Sequence, residues 1–230
     1  MTPVFEPPAL PVLPVQGGGG YPVARVFCVG RNYAAHAAEM GNDVDREAPF
    51  YFTKSAFSVA LSGAEVPYPP GTADYHHEME FVIAVGAPAF RVSRDDALAA
   101  IFGYGCGLDM TRRDLQAVAK DKRRPWDVGK DVEGSAVLGP LTPAEAFGPV
   151  GGQRISLRVN HEIRQEATLD EMIHDCAAIL ADLSRLYHLR PGDVIMTGTP
   201  AGVGPVQPGD HLVGSVEGLM DVDLRIGAPD

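Results

Sequence analysis

The sequence has few of the features that mark extracellular, membrane or nucleic-acid-binding proteins. Only three cysteines occur in 230 residues, and they lie far apart, which fits neither a disulfide framework nor a zinc site. We therefore expect Cys28, Cys106 and Cys176, all in apolar surroundings, to be buried free thiols. No apolar run approaches the roughly 20 residues that a membrane-spanning helix needs.

Basic residues are scarce relative to acidic ones. The 19 lysines and arginines are outnumbered by 30 aspartates and glutamates, a formal net charge of -11, so no general nucleic-acid-binding surface is expected. The first basic residue is Arg25, and repeated prolines precede it, so no secretory signal is predicted. We expect a cytoplasmic protein with no membrane or nucleic-acid partner. The basic run at 120–125 is typical of a solvated surface, but a local pocket for an anionic substrate stays open.

The order of the elements indicates one domain behind a short arm. Residues 1–24 are rich in proline and contain four consecutive glycines, which predicts an extended N-terminal arm. Its side chains either anchor it or leave it mobile, and the candidate anchors are Val4, Phe5, Leu10 and Val12. Residues 25–230 suit a single core. Strands dominate without strand–helix–strand alternation, so we predict a mixed, β-rich α+β domain.

One predicted strand brings two carboxylates together. The apolar run Phe81–Val85 indicates a strand, and side chains at i and i+2 of a strand point to one face. Glu78 and Glu80 would then project together and repel each other, unless one takes up a proton or a cation lies between them. A hard divalent cation prefers such oxygen ligands. A solvated strand face is the alternative, and for an isolated pair it is the commoner outcome.

A short predicted helix carries a histidine beside a glutamate. The helix spans Ala34–Met40 and stops at Gly41, and a polar loop is predicted for 42–48. His36 and Glu39 lie at i and i+3, so they are neighbours on one face. A carboxylate that orients a histidine suits removal of a proton from water, whereas an exposed ion pair is the alternative.

Two other polar residues stand at the ends of predicted strands. Asp109 precedes a predicted helix over Arg112–Lys120, and Thr111 is the predicted cap of that helix, which leaves Asp109 for another task. Lys54 ends the aromatic strand Pro49–Lys54, where it either extends to solvent or meets an anion.

Capping patterns predict two further helices. Ser93 caps a helix over Arg94–Phe102 that Gly103 would end. Thr168 and Glu171 form a capping box. This box would open the longest helix, whose apolar stripe runs from Met172 to Leu186.

Several of these stretches, in this order, resemble the fumarylacetoacetate hydrolase family. The resemblance extends from about Val26 to Ile226, with the N-terminal arm outside it. The stretches are Gly30-Arg31-Asn32-Tyr33 with His36 and Glu39, Glu78-Met79-Glu80, Gly107-Leu108-Asp109 with Gln116 and Lys130, and Pro191-Gly192-Asp193 with Thr197-Gly198-Thr199-Pro200.

The resemblance implies a fold and a set of site residues. The fold is the family's mixed β-sandwich roll, usually a homodimer. Glu78, Glu80 and Asp109 match a site for one Mg2+ or Mn2+ per subunit, and His36 with Glu39 matches a water-activating pair. Lys130 matches the lysine that stabilises a developing enolate. The implied substrate-binding residues are Arg31, Lys54, Gln116 and Thr199.

The activity implied is hydrolysis of the carbon–carbon bond of a β-diketo acid. The substrate would be a small acylpyruvate, cleaved to pyruvate and a carboxylic acid. The stretches 39–41 and 49–54 most resemble the members that cleave fumarylpyruvate in aromatic-compound degradation. An isomerase or decarboxylase of an oxaloacetate- or hydroxymuconate-type keto acid is the alternative on the same scaffold. A metal-stabilised binding protein would leave His36 and Lys130 without a use.

Two departures from the family pattern concern the acyl group. Ser55 follows Lys54 where these relatives usually have proline. Asp131-Val132-Glu133 follows Lys130 where an aromatic residue and an aspartate are common. Both changes are expected near the mouth of the substrate site, so the identity of the substrate's acyl group is not predicted.

Overall fold

A computed structural model of the chain describes residues 2–39 and 48–230. The strands are β1 (Val12–Pro14), β2 (Gly20–Pro22), β3 (Arg25–Gly30), β4 (Phe50–Lys54), β5 (Val59–Leu61), β6 (Ala64–Pro67), β7 (Tyr75–His77), β8 (Met79–Val85), β9 (Ile101–Asp109), β10 (Thr111–Arg112), β11 (Ala136–Leu138), β12 (Thr142–Pro143), β13 (Arg154–Val159), β14 (Glu162–Thr168), β15 (Asp193–Met196), β16 (Gly204–Pro205), β17 (His211–Val216) and β18 (Val222–Gly227). The α-helices are α1 (Ala34–Glu39), α2 (Arg94–Ala97), α3 (Arg113–Asp121), α4 (Asp127–Lys130), α5 (Ala144–Phe147) and α6 (Cys176–Leu186), and 3-10 turns cover Ala56–Ser58, Leu98–Ala100 and Leu169–Glu171.

A mixed eight-stranded sheet forms the centre of the molecule. Its strand order is β4-β3-β15-β8-β9-β11-β5, with β12 paired to the far part of β9. A five-stranded sheet, β14-β13-β17-β18-β6, shares one hydrophobic core with it and with α6. This arrangement confirms the predicted β-rich α+β class. None of the helices in the described residues combines the length and apolar character that a membrane span needs.

The central strand β8 is buried along its whole length because both faces of the large sheet are covered. Phe81 and Ile83 face the main core. Val82 and Ala84 face a second, smaller core on the opposite side, as the two-residue period of a strand requires. The three cysteines are buried and free, which confirms their predicted state.

The second core is closed by the N-terminal hairpin β1-β2. Leu13 and Val23 are fully buried and Tyr21 is 6% exposed. The Tyr21 hydroxyl lies 2.7 Å from the carbonyl oxygen of Val85 and 2.9 Å from the amide of Gly192, which donates to it. The predicted anchors were wrong, since the side chains left exposed are Val4, Phe5, Leu10 and Val12. The division into arm and domain at residue 25 stays a prediction.

The helix predicted over Arg94–Phe102 is shorter in the structure. Ser93 caps it as expected, because its side chain accepts a hydrogen bond from the amide of Asp96. The chain then turns into β9, which pairs with β8 from Ile101 to Leu108. Gly103 ends no helix. A side chain there would lie 2.3 Å from the carbonyl oxygen of Thr142, so glycine permits close packing of β12 on β9.

The capping box of Thr168 and Glu171 is present, but the element that it begins is a 3-10 turn and not the long helix. That helix, α6, begins at Cys176, where the side chain of Asp175 accepts a hydrogen bond from the amide of Ala178. The interruption has a tertiary cause. The amide of Ile173 donates to the carbonyl of Asn32 at 2.8 Å, which ties this segment to the turn between β3 and α1.

Replacing Tyr21 by Phe should lower the free energy of unfolding by about 1–3 kcal/mol, because the buried Val85 and Gly192 groups lose their partner. Urea denaturation followed by circular dichroism measures this change. Tyr187, which is 41% exposed, provides the matched control. Its replacement by Phe should change stability by less than about 0.5 kcal/mol. Equal unfolding midpoints for Tyr21→Phe and the unchanged protein would contradict the anchoring role.

Candidate metal and active site

Three buried carboxylates meet where β8 and β9 run side by side. Glu78 lies between β7 and β8, Glu80 lies on β8, and Asp109 ends β9. The amide of Asp109 donates to the carbonyl of Glu78 at 2.8 Å, which fixes the two residues opposite each other. One oxygen from each carboxylate lies within 4.8 Å of the others. The three side chains predicted as metal ligands are therefore brought together.

The charges of this cluster are only partly balanced by protein groups. Burial, Asp109 and Glu78 together raise the pKa of Glu80 well above its usual value. Burial also opposes ionisation of Glu78, but Lys130 and Arg113 outweigh it and lower the pKa of that carboxyl group. Among the described residues, Oδ1 of Asp109 accepts no hydrogen bond of regular geometry, although Nζ of Lys54 lies 2.9 Å from it. Buried acceptor oxygens in surplus fit a hard divalent cation.

Lys130 provides the positive charge that reaches furthest into the cluster. It ends the short helix α4 and is 2% exposed. Its Nζ lies 2.8 Å from Oε2 of Glu78 and 2.7 Å from Oδ2 of Asp109. Burial disfavours the ammonium ion, but these two carboxylates raise the pKa of Lys130 above its ordinary value. The side chain is therefore a fixed cation at the base of the site.

The structure separates Lys54 from the other predicted substrate contacts. Its Nζ lies 2.9 Å from Oδ1 of Asp109, but it directs its hydrogen bonds to the carbonyls of Met110 and Lys130 and to Ser135. The side chain is fully buried behind Asp109 and does not line the cleft. A strand-end lysine that meets an anion was one of two predicted alternatives, and the anion proves to be a carboxylate of the protein.

His36 and Glu39 are placed by helix α1, which follows a tight turn at 30–33. Asn32 is fully buried, and its side-chain amide donates to the carbonyls of His174 and Thr197, which holds the start of the helix against two distant segments. The predicted helix end at 40–41 and residues 42–47 of the predicted 42–48 loop lie outside the described residues.

His36 and Glu39 on α1 differ in their exposure to solvent. His36 is 6% exposed and lines the cleft with Glu78 and Glu80. Glu39 is exposed, lies 3.4 Å from Nδ1 of His36 and accepts from the amide of Gly202 at 3.1 Å. Burial lowers the pKa of His36 below 6.5, although Glu78 and Glu39 act in the opposite direction. The lowered pKa favours the neutral imidazole, which is the state of a general base.

Helix α3 carries three polar side chains into the cleft. Gln116 was predicted to contact the substrate, Lys120 belongs to the predicted basic run, and Arg113 was not assigned to the site. Gln116, a predicted substrate contact, is 2% exposed and accepts from Nη1 of Arg113 at 2.7 Å. Arg113 also pairs with Glu78 at 2.5 Å. The i, i+3 spacing from Arg113 to Gln116 was the available signal.

The predicted cap of helix α3 was wrong. Thr111 pairs with His76 as part of β10 and donates its hydroxyl to the carbonyl of Asp109. The helix therefore begins at Arg113, without a side-chain cap.

Gln165 is a second residue that sequence reasoning missed. It is 1% exposed and joins two parts of the site. Its Nε2 donates to Oγ1 of Thr199, a predicted substrate contact, and its Oε1 accepts from the amide of Met79 next to the carboxylates. His77 also contacts it at 3.2 Å, which places that histidine beside the site and outside the carboxylate cluster. These partners are 34–88 positions away in sequence, so no local pattern marked Gln165.

Most of the predicted site residues line one cleft. Arg31 is exposed at its rim with a left-handed φ of 58°, an uncommon conformation for a residue other than glycine. Asp109 and Glu39 do not line the cleft but contact its lining residues Lys130 and His36, and Lys54 is buried beside Asp109. The predicted residues that line the cleft are Arg31, His36, Glu78, Glu80, Gln116, Lys130 and Thr199.

The two departures from the family pattern contact each other away from this cleft. The amide of Ser55 donates to Oδ1 of Asp131 at 2.9 Å, a hydrogen bond that proline at this position could not make. Neither Ser55 nor 131–133 lines the cleft. The expectation that they border the substrate site was therefore wrong.

Comparisons with known proteins agree with this arrangement. Residues 25–226 match the family model described as fumarylacetoacetate (FAA) hydrolase C-terminal. A fumarylpyruvate hydrolase from Ralstonia sp is 51% identical over 190 residues, which cover 82% of this chain and 98% of that protein. The oxaloacetate tautomerase YcgM of Escherichia coli (strain K12) is 39% identical over 199 residues, 86% of this chain and 90% of that protein.

A solved structure of a related protein has the same fold as this chain. The crystal structure of fumarylpyruvate hydrolase from Pseudomonas aeruginosa in complex with Mn2+ and pyruvate matches with a TM-score of 0.95 and 43% identity, covering 99% of this chain and 100% of that one. The chain belongs to the fumarylacetoacetate hydrolase family.

Proposed function

We propose that this chain is a divalent-metal-dependent hydrolase that cleaves the carbon–carbon bond of an acylpyruvate. Fumarylpyruvate is the first candidate substrate, and the products would be pyruvate and fumarate. The observation that carries the proposal is the buried cluster of Glu78, Glu80 and Asp109 in one site with the His36–Glu39 pair. The similarity to two fumarylpyruvate hydrolases, one of them in complex with Mn2+ and pyruvate, supports it.

The carboxylate cluster would hold one Mg2+ or Mn2+ per subunit. All three donors are hard oxygens, and Glu80 in particular has no cationic partner within hydrogen-bonding distance among the described residues. Bound there, the cation would supply Lewis-acid chemistry to a keto acid.

His36 is the proposed general base. Its buried, neutral imidazole would take a proton from the water that attacks the carbonyl remote from the carboxylate end of the substrate. Glu39 would orient the ring and stabilise the imidazolium ion that results, while the amide of Gly202 holds Glu39 in place. A third partner that fixes the base is typical of such dyads.

Lys130 would stabilise the negative charge that develops as the bond breaks. Its ammonium group is fixed by Glu78 and Asp109 before any substrate arrives, and a preorganised charge needs no reorganisation during the reaction. Gln116, Thr199 and Arg31 line the same cleft and would orient the substrate by hydrogen bonds.

A keto-acid tautomerase or isomerase is the second candidate function. The similarity to the oxaloacetate tautomerase YcgM supports it. Such a reaction needs no attacking water, so the His36–Glu39 pair favours hydrolysis. Decarboxylation of a related keto acid also needs no attacking water and is disfavoured for that reason. Use of magnesium, a homodimeric assembly and a place in aromatic-compound degradation remain predictions from the family resemblance, and a cytoplasmic location remains a prediction from the sequence.

A spectrophotometric panel with Mg2+ tests the proposed function. Fumarylpyruvate, maleylpyruvate, acetylpyruvate and oxaloacetate would each be followed by loss of the enol absorbance, and pyruvate would be assayed separately. Hydrolysis predicts pyruvate release from at least one of the first three. Rapid enol–keto conversion of oxaloacetate without release of pyruvate from any substrate would instead establish the second candidate.

Replacing Glu80 by Gln should weaken binding of Mg2+ or Mn2+ at least about a hundredfold, more than the loss of an outer partner usually does. Isothermal titration calorimetry measures the affinity, and the metal-induced rise in Tm should disappear with it. Glu65→Gln, at an exposed position on β6, is the control. Full activity of the chelator-treated enzyme would contradict a metal-dependent reaction.

Replacing His36 by Ala should reduce kcat for hydrolysis by about 10²–10⁴, the usual contribution of a general base, while the metal affinity changes by less than about threefold. Stopped-flow assays and calorimetry measure the two effects. His188→Ala, at an exposed position outside the cleft, is the control. Survival of hydrolysis in His36→Ala would refute the role of this residue.

The pH dependence of kcat/KM gives an independent check on His36. The free imidazole is the active form, so activity should fall as the pH drops through the pKa of His36, which burial places below 6.5. Because Glu39 raises this pKa, Glu39→Gln should move the acidic limb to lower pH and slow the reaction. A shift of that limb to higher pH would contradict the assignment.

A further inference from the structure

Around Lys120 the cleft carries more positive charge than the carboxylates of the described residues pair with. Three cations line it there, namely Arg31, Arg113 and Lys120. Arg113 is engaged by Glu78 and Gln116. Within the described residues, neither Arg31 nor Lys120 has a carboxylate within ion-pair distance, since the described ion pairs of the site involve Arg113, Lys130 and Lys54 instead.

Lys120 is distinct from its basic neighbours. Lys122, Arg123 and Arg124 are exposed, as a solvated run would be. Lys120 is half-buried, and its Nζ lies 4.9 Å from the ring centroid of Trp126, which also lines the cleft. Burial and the neighbouring Arg113 lower the pKa of Lys120 to about 8. A cation held against an aromatic wall beside other cations is a ready partner for an incoming anion.

The position of Lys120 on α3 sets how far along the cleft that anion would bind. Arg113, Gln116 and Lys120 stand at i, i+3 and i+7, so they share one face of the helix. Gln116 is linked to the carboxylate cluster by Arg113, which donates a hydrogen bond to Gln116 and forms an ion pair with Glu78. Lys120 is one turn further on, about 6 Å along the axis. The extra positive charge therefore belongs to a residue about one turn of α3 beyond Gln116, on the side away from Arg113.

We propose that Lys120, together with Arg31, forms a subsite for a carboxylate at the far end of the acyl group, which makes the enzyme selective for acylpyruvates with a dicarboxylic character. This inference depends on the proposed function, in which the 2-oxo acid end lies at Glu78, Glu80 and Asp109. Phe52 and Trp126, whose rings lie 5.8 Å apart along the same cleft, would border the carbon chain between the two ends.

Comparison of two substrates in one variant tests the subsite. Lys120→Met keeps an apolar stem on Trp126 and removes the charge. The ratio of kcat/KM for fumarylpyruvate to that for acetylpyruvate, which lacks the distal carboxylate, should fall about tenfold or more. Lys120→Arg should restore most of the ratio. Lys122→Met, from the exposed neighbouring position, should leave it unchanged. An unchanged ratio in Lys120→Met would overturn the proposal.

A binding measurement separates this inference from the proposed function. Calorimetry on the Mg2+-loaded protein would compare 2-oxopimelate with 2-oxoheptanoate, two unreactive acids of equal length of which only the first has a distal carboxylate. The unchanged protein should bind 2-oxopimelate about tenfold more tightly, and Lys120→Met should abolish the difference. Equal affinities in the unchanged protein, or no binding of either acid, would refute the subsite. Failure of the hydrolysis assay with this preference intact would refute the reaction alone.

Discussion

Mutual repulsion among three buried carboxylates is the constraint on which the site depends. Glu78 and Asp109 each have Lys130 within hydrogen-bonding distance, and Arg113 and Lys54 add one further cation to each. Within the described part of the chain, Glu80 receives only the amide of Gly198 at 2.7 Å, and burial together with Asp109 and Glu78 raises its pKa. The cluster is held together by the pairing of β8 and β9, whose buried apolar faces stabilise an arrangement that the charges alone would disperse.

The site was predictable to the extent that its residues follow local periods or a resemblance. The two-residue period of a strand brings Glu78 beside Glu80, and the helical period brings His36 beside Glu39; both pairs are close in the structure. Gln165 could not be found in this way, because all its partners belong to other segments. For Lys54 the sequence could indicate an anion nearby but not on which side of Asp109 the lysine lies, since that depends on its hydrogen bonds to Met110, Lys130 and Ser135 in distant segments.

The fold shows the same division between local and distant causes. Ser93 and the Thr168–Glu171 box were correctly identified as caps, because a cap needs only the next three residues. The lengths of the helices were wrong, because strand pairing with β8 and the contact of Ile173 with Asn32 decide where each helix ends. Leu13 and Tyr21 were overlooked for a related reason: their burial depends on a sheet face formed by strands that follow later in the chain.

The two ends of the cleft are built on different parts of the scaffold, and this bears on how selectivity is set. The carboxylates stand on the ends of central strands, where any change disturbs the buried charge balance. Lys120 stands on the last turn of α3 and Arg31 on a strained turn at the rim, where a substitution alters charge without touching the cluster. The nature of the acyl group can therefore change independently of the chemistry. The two cations at the rim pair with no carboxylate among the described residues, which supports the proposal of an anionic acyl group.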